Sequence, residues 1–146
     1  MKTYLFLIIL LLFSITFTNT RYVQARCSVV PCEYHPEAIP EIFDSFGHQV
    51  YNSAKKGQEL QISTDLTNFH NSTQPFVYLV QIQDANGVTM SLSWITGSLE
   101  PHQSFKPTQS WIPIDSGNYT VQIFFWQSLT NPDGFAPPES WTFQVI

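Results

Sequence analysis

Charged side chains are scarce in this chain of 146 residues, and basic ones are scarcest. Six Lys and Arg face eleven Asp and Glu, which gives a net charge of −5. Nucleic acids and anionic membranes are bound by clustered Lys and Arg, so we expect neither as a partner. Apolar residues never recur at helical spacing along the chain, which argues against helical domains.

Metal-binding and nucleophilic residues are also few. The four histidines lie far apart in the sequence: His35, His48, His70 and His102. That spacing differs from the close pairs of zinc or copper ligands, and no Cys or His follows His102 to form a blue-copper site. A Gly-x-Ser-x-Gly elbow is absent as well. We therefore expect no catalytic residue, no metal site and no cofactor, although calcium between carboxylates of separate loops stays open.

The one long apolar run lies at the N-terminus. After Lys2, residues 4–17 are almost uninterrupted apolar side chains. A membrane span needs about 20 such residues, so this shorter run is typical of a signal peptide. Val23-Gln24-Ala25 offers small residues for cleavage after Ala25. We expect residues 1–25 to be a signal peptide and the protein to be secreted or on the cell surface. The alternative is an uncleaved leader, which would be the only membrane contact.

Two cysteines fall directly after the leader. Cys27 and Cys32 form an even pair in an exported chain, which favours a disulfide in an N-terminal arm of residues 26–40. A metal or redox role is the alternative. Two sequons, at Asn71 and Asn118, are possible glycosylation sites. Without Lys2 and Arg21 the exported chain keeps four basic and eleven acidic residues.

Strict alternation of apolar and polar residues predicts strands in residues 41–146. One strand alternates Phe76, Tyr78, Val80 and Ile82 with Val77, Leu79, Gln81 and Gln83. Asp84-Ala85-Asn86-Gly87 then predicts a hairpin with a type I′ turn. On the returning strand we expect the apolar set to point inward: Val88, Met90, Leu92 and Trp94.

A second strand follows the turn at Asp115-Ser116-Gly117. Tyr119 opens this strand, and a tyrosine at such a corner ties its hydroxyl to upstream backbone in immunoglobulin-like sandwiches. Phe124 and Trp126 alternate with the inward residues of the strand, so they predict an aromatic outer face. Such a face requires cover by a loop, by the N-terminal arm or by a partner.

About seven short strands with turn signals between them predict an all-β, immunoglobulin-like Greek-key sandwich. An eight-stranded barrel is the alternative. The chain resembles CARDB and fibronectin type III-like domains of exported archaeal and bacterial envelope proteins in residues 57–62, 81–87 and 117–121. An aromatic strand and an Asn-Pro loop in residues 124–132 extend the likeness to small exported archaeal proteins. The resemblance implies an adhesion or scaffolding module without catalytic residues.

Recognition in such sandwiches is often carried by the loops at one end. We expect six residues to form a binding tip there, unless they merely anchor their loops: Phe69, His70, Asn71, Asn131, Asp133 and Phe135. The predicted function is non-catalytic binding or scaffolding, with another envelope protein or a glycan as partner. A carbohydrate-binding or enzyme-accessory module is the alternative because the chain contains four Trp. The sequence leaves the oligomeric state open.

Overall fold

The computed structural model describes residues 40–135 and 137–146, so the leader and the cysteine pair at 27 and 32 lie outside the described residues. Ten strands form the described chain, which confirms the all-β class. They are β1 (Glu41–Asp44), β2 (Ser53–Ala54), β3 (Leu60–Ser63), β4 (Leu66–Thr67), β5 (Gln74–Asp84), β6 (Thr89–Leu99), β7 (Ser104–Phe105), β8 (Thr108–Trp111), β9 (Gly117–Trp126) and β10 (Glu139–Val145). None of these residues forms a helix of the length and hydropathy that crossing a membrane requires.

Two main sheets share the core. A three-stranded sheet has the order β1-β3-β8, a five-stranded sheet has the order β2-β10-β9-β5-β6, and β4 pairs with β7. Strands β1 and β2 belong to different sheets, and β5 pairs antiparallel with the distant β9. Seven of the ten strands are at least four residues long. This arrangement confirms the immunoglobulin-like Greek-key sandwich and the predicted number of principal strands.

Strands β5 and β9 supply the centre of the core. Their inward residues alternate along each strand and are buried: Phe76, Tyr78, Val80 and Ile82 from β5, and Tyr119, Val121, Ile123 and Phe125 from β9. Ile42, Leu60 and Ile62 of the three-stranded sheet pack in the same cluster. Since β5 and β9 are the longest strands with an unbroken alternation, the sequence pattern predicted both inward faces correctly.

One buried hydrogen bond joins the two sheets through this core. Tyr78 on β5 is fully buried, and its Oη donates to the carbonyl oxygen of Ile62 on β3 at 3.1 Å. Burial raises the pKa of the Tyr78 hydroxyl above its usual value because the phenolate would be poorly solvated there. The hydroxyl therefore stays protonated as a donor.

Tyr119 forms the corner that precedes β9. Its Oη donates to the carbonyl oxygen of Asp115 at 2.9 Å, four residues upstream. The ring packs edge-on against Trp111 at a centroid distance of 5.0 Å and lies near Phe143. The corner thus ties the turn before β9 to aromatic side chains from β8 and β10.

Replacing Tyr119 with Phe is expected to lower the free energy of unfolding by about 1 kcal/mol, because the Asp115 carbonyl loses its donor. Tyr51→Phe is a matched control, since the exposed Tyr51 hydroxyl donates only to the Gln49 side chain. Urea titration of both variants measures the difference. Equal stabilities for the two variants would contradict a structural role for the corner hydroxyl.

The hairpin between β5 and β6 has a different turn from the predicted one. Gly87 has a φ of 78°, but Asn86 is not among the described residues with positive φ. A type I′ turn requires a positive φ at both of its central residues. The Asp84 carboxylate accepts the backbone N–H groups of Val88 and Asn86 at 2.9 and 2.8 Å. These bonds hold the pKa of the Asp84 carboxyl below its usual value. They also favour a turn in which only the glycine is left-handed.

The predicted inward face of β6 is wrong. Ser91 pairs with Ile82, and Ser93 pairs with Val80. Directly paired residues lie on the same face, so these serines point inward with the core residues of β5. The apolar set is exposed instead: Val88, Met90, Leu92 and Trp94. Counting partners across the hairpin from the buried face of β5 would have given this result, whereas hydrophobicity alone gave the opposite one.

Candidate functional site

The outer face of the five-stranded sheet is the side turned away from the core, and it carries apolar side chains on three neighbouring strands: β6, β5 and β9. Leu79 of β5 lies between Trp94 of β6 and Phe124 of β9. Val77 lies one step along β5 and pairs with Trp126. We call these five residues, together with Leu92 on β6, the aromatic outer face. The correction to β6 thus adds Leu92 and Trp94 to the two predicted aromatic residues.

The aromatic outer face has a buried floor and exposed sides. Val77 and Leu79 are only 1% and 6% exposed, because they lie on β5 with β6 and β9 on either side. Leu92 and Trp94 are 52% and 50% exposed on the edge strand β6. Phe124 and Trp126 are half-buried on the other side. Side chains that pack against such a floor have restricted rotamers, so ordering them when a partner binds costs little conformational entropy.

The rings themselves are arranged around this floor. Phe124 and Trp126 lie 5.8 Å apart between centroids, at an interplanar angle of 54°. Strand spacing and register separate the Trp94 and Trp126 backbones by about 12 Å across β5. The two indoles therefore flank the floor from opposite sides.

No charged residue points to this face from the described strands β5, β6, β9 and β10. Its remaining side chains are uncharged and polar: Gln81, Gln83, Thr89, Thr96, Ser98, Asn118, Thr120, Gln122, Ser140, Thr142 and Gln144. Neighbouring polar groups on it also bond to one another, such as Gln81 with Thr89 and Thr120 with Thr142. A surface of this kind suits an uncharged partner, since a partner that covers it removes no charged group from water.

An open cleft of about 240 Å³ adjoins the aromatic outer face where β5 begins. Its walls are the start of β5, the middle of β6 and the loop after β9: Pro75, Phe76, Val77, Thr96, Gly97, Gln127, Ser128, Leu129 and Thr130. The Gln127 side chain accepts from the Asn131 amide at 2.9 Å, which fixes this loop. The cleft is therefore an extension of the same face.

The residues predicted to form a binding tip do lie at one end of the sandwich. Because β5 and β9 are antiparallel, the loop before β5 and the loop after β9 meet at the same end. Phe69 is 50% exposed in the first loop. Asn71 in this loop contacts His102, with 3.0 Å between Oδ1 and Nε2, and the His70 N–H donates to the Asn68 side chain.

The predicted tip residues in the loop after β9 also have contacts within the fold: Asn131, Asp133 and Phe135. Phe135 packs against the core, and its N–H donates to the carbonyl oxygen of Phe125 at 2.9 Å. Asn131 bonds to Gln127, and the carbonyl of Asp133 accepts the Gln127 N–H. Contacts of this kind are typical of residues that anchor a loop, which is the alternative to a binding role for the tip residues.

The residue that organises the tip is Asn68, which the sequence analysis did not single out. Its side chain is buried, and its amide donates to the carbonyl oxygens of Ser72, Leu99 and Glu100 at 2.8, 3.0 and 3.1 Å. An Asn just before a polar loop is a known turn former, and that is the signal that was available. Asn68 holds the loop before β5 against the end of β6.

The described residues contain no group of three or more His, Cys, Asp or Glu side chains placed to hold a metal ion. Within residues 40–135 and 137–146, the one His–carboxylate ion pair is that of His48 with Asp44, 3.2 Å apart at an exposed turn. The exposed sequon residues occupy different places: Asn71 lies in the tip loop, and Asn118 lies on the polar end of the outer face.

The topology, the tyrosine corner and the sheet order define an immunoglobulin-like sandwich domain. By sequence, the chain belongs to the S-layer A-like family, whose model matches residues 33–140. No curated protein matches it significantly in sequence. The predicted resemblance to immunoglobulin-like domains of envelope proteins is thereby confirmed.

Solved structures share the fold at low sequence identity. The C-terminal domain of wzt is 15% identical with a TM-score of 0.56, and the match covers 77% of this chain and 80% of that one. A β-glucuronidase of glycoside hydrolase family 2 is 13% identical with a TM-score of 0.57, covering 80% of this chain but 12% of the enzyme. The CARDB domain of a Pyrococcus furiosus protein, in complex with di-metal ions, is 13% identical with a TM-score of 0.49, covering 81% and 98%.

Proposed function

We propose that the protein is a non-catalytic, extracytoplasmic module that binds another component of the cell envelope through its aromatic outer face. The observation that carries this proposal is an apolar surface on a face without charge: exposed Leu92 and Trp94 and half-buried Phe124 and Trp126 surround a buried apolar floor. Monomeric proteins rarely expose a contiguous apolar patch without a binding role. Membership of the S-layer A-like family supports an envelope location.

The outer face is a stronger binding candidate than the tip. Hot spots of binding are typically aromatic side chains surrounded by residues that exclude water. Trp94 and Trp126 meet this description because they flank the buried floor of Val77 and Leu79. The tip offers Phe69 as a half-exposed aromatic side chain, whereas Phe135 is engaged with the core.

A glycan-binding role is the second candidate function. Indole rings stack on the apolar faces of sugars, and uncharged amides and hydroxyls hydrogen-bond to their hydroxyl groups. Trp94 and Trp126 lie on one face, which also carries the amide side chains of Gln81 and Gln122. Trp111 adds no ring to this face, because it packs against Tyr119 and Phe143 at the core.

Co-sedimentation of the exported protein with isolated envelopes tests the proposed function. Trp126→Ser is expected to weaken binding at least about tenfold, as the loss of a hot-spot aromatic residue does. Phe69→Ser at the tip is the matched control and should leave binding unchanged. If Phe69→Ser lost envelope binding and Trp126→Ser kept it, the binding site would be at the tip and not on the aromatic outer face.

The same assay separates the two candidate partners. Binding to envelopes that survives enzymatic removal of glycans indicates a protein partner. Binding that disappears with the glycans, and returns with purified envelope glycan alone, indicates carbohydrate. Undetectable binding of the wild-type protein to either preparation would contradict the proposed function.

A further inference from the structure

Strand β6 is an edge of the five-stranded sheet. It pairs with β5 on one side, and none of the described residues forms a strand that pairs with its other side. Every second residue of an edge strand turns its backbone N–H and C=O away from the sheet. With eleven residues, β6 presents a long row of such groups. They are a template for a further strand.

The other edges of the two main sheets are protected by the means that proteins commonly use. Strand β2 has only two residues and leads into Lys55 and Lys56. Strand β1 begins with Glu41, which pairs with Lys106, and ends with Asp44. Strand β8 has four residues and follows the buried Pro107. Short length, charge and proline each discourage pairing with a foreign strand.

Strand β6 has almost none of these protections. It contains no charged residue and no proline, and the uncharged stretch extends back through the hairpin to Ala85. One irregularity, at the hairpin end beside Met90, interrupts the pairing with β5, and the ladder is regular from Ser91 to Leu99. Leu92 and Trp94 are half exposed on this regular part. A long, flat and uncharged edge is therefore available for pairing.

We propose that the partner of this edge is a second copy of the chain, with β6 pairing antiparallel to β6 about a two-fold axis. Near the two-fold axis the same residues of both copies come together, so a charge there would lie close to a like charge. An uncharged strand avoids that repulsion. The exported chain has four basic and eleven acidic residues, and this negative charge disfavours close approach of two copies at acidic surfaces, which makes the uncharged edge the favourable place.

Pairing of this kind also covers Leu92 and Trp94, the two most exposed residues of the aromatic outer face. With the axis beside Ser93, Leu92 of one copy faces Trp94 of the other on the outer face. The two Leu92 side chains are then diagonal neighbours about 7–8 Å apart. The five-stranded sheets of the two copies join into one continuous sheet, and their aromatic outer faces lie side by side. This inference goes beyond the proposed function, since it concerns the edge and holds whatever the outer face binds.

Sedimentation velocity of the exported protein over a range of concentrations tests the pairing. A single strand pair is a small interface, so we expect a dimer that dissociates in roughly the micromolar range. Leu92→Lys and Leu92→Glu should each weaken dimerisation at least about tenfold, because like charges then meet across the axis. An equimolar mixture of the two variants should restore a dimer.

Ser140→Lys is the matched control, since Ser140 is exposed on the same face but lies on β10, away from the edge. It adds the same charge and should leave the dimer intact. A wild-type protein that stays monomeric up to several hundred micromolar would overturn the proposal, and so would a dimer unaffected by Leu92→Lys or equally lost in Ser140→Lys. Trp126→Ser should impair envelope binding without changing the dimer, which keeps this test separate from that of the proposed function.

Discussion

Replacing Tyr78 with Ala is expected to lower the free energy of unfolding by about 3–5 kcal/mol, the usual range for removing a large buried aromatic side chain. Tyr78 is fully buried between the sheets and lies 5.7 Å from the Phe125 ring, centroid to centroid. The substitution leaves a cavity in the centre of the core. It also removes the donor to the Ile62 carbonyl. A small domain is stable by about 5–15 kcal/mol, so this one change removes much of the total.

Tyr78→Phe separates the ring from the hydroxyl. It keeps the packing and leaves the Ile62 carbonyl without its donor, so a decrease of about 1–2 kcal/mol is expected. Urea titration of both variants measures the two contributions. Equal losses for Phe and Ala would contradict the packing argument, and an unchanged stability of Tyr78→Phe would contradict the buried hydrogen bond.

The same hydroxyl gives a stability change at high pH. Burial raises the pKa of the Tyr78 hydroxyl in the folded protein, whereas the pKa of this hydroxyl in the unfolded chain is about 10. The folded state therefore binds the proton more tightly. This contribution to stability is complete below about pH 10 and is lost as the pH rises through the folded pKa. The alkaline fall in stability should be smaller in Tyr78→Phe than in the wild-type protein.

The sequence predicted the parts of the fold in which one strong pattern agrees with burial. The alternation in β5 and β9 is read directly from Phe76–Ile82 and Tyr119–Phe125, because both strands lie in the middle of the sheet and contact the core along their whole length. The corner at Tyr119 was recognisable because it requires a turn, a tyrosine and a strand in fixed order. These features depend on local sequence alone.

Strand β6 was misread because its position in the sheet is not a local property. Its apolar residues alternate as cleanly as those of β5, yet they face solvent because the register with β5 places them on the outer face of the sheet. The inward positions hold Ser91 and Ser93, and Gly97 lies under the Phe76 ring at a distance that leaves little room for a side chain. Pairing with β5, rather than hydrophobicity, decides which face of β6 is buried.

The candidate site was therefore predicted in part. Phe124 and Trp126 were expected on the outer face because they alternate with buried residues of β9. Leu92 and Trp94 were assigned to the core, so the apolar area beside Leu79 was underestimated. The role of Asn68 depends on carbonyls at the end of β6, 31 and 32 residues away, which no local pattern reveals.

Asn68→Ala is expected to lower the free energy of unfolding by about 2–3 kcal/mol, which is the second large destabilisation that we expect, after that of Tyr78→Ala. The substitution removes the amide that donates to the carbonyls of Ser72, Leu99 and Glu100. A buried carbonyl without a donor costs about 1–3 kcal/mol. Thermal unfolding measures the loss, and hydrogen exchange of the backbone amides in residues 69–73 shows whether it is local.

Two further variants show which property of Asn68 matters. Asn68→Asp keeps the size and the acceptor for the His70 N–H but lacks the donors, so it should be at least as unstable as Asn68→Ala. Asn71→Ala in the same loop is exposed and should change stability by less than about 0.5 kcal/mol. An Asn68→Asp variant as stable as wild type would contradict the role of the amide.

The hydrogen-exchange result also bears on where the protein binds its partner. If Asn68→Ala lowers the global stability, the tip loop is part of the cooperative fold and its side chains serve mainly to close the end of the sandwich. Binding is then left to the aromatic outer face. If the variant instead loses protection only in residues 69–73 while the melting temperature stays unchanged, the loop opens independently. A loop that can open at little cost is free to adapt to a partner, and Phe69 would become a binding candidate again.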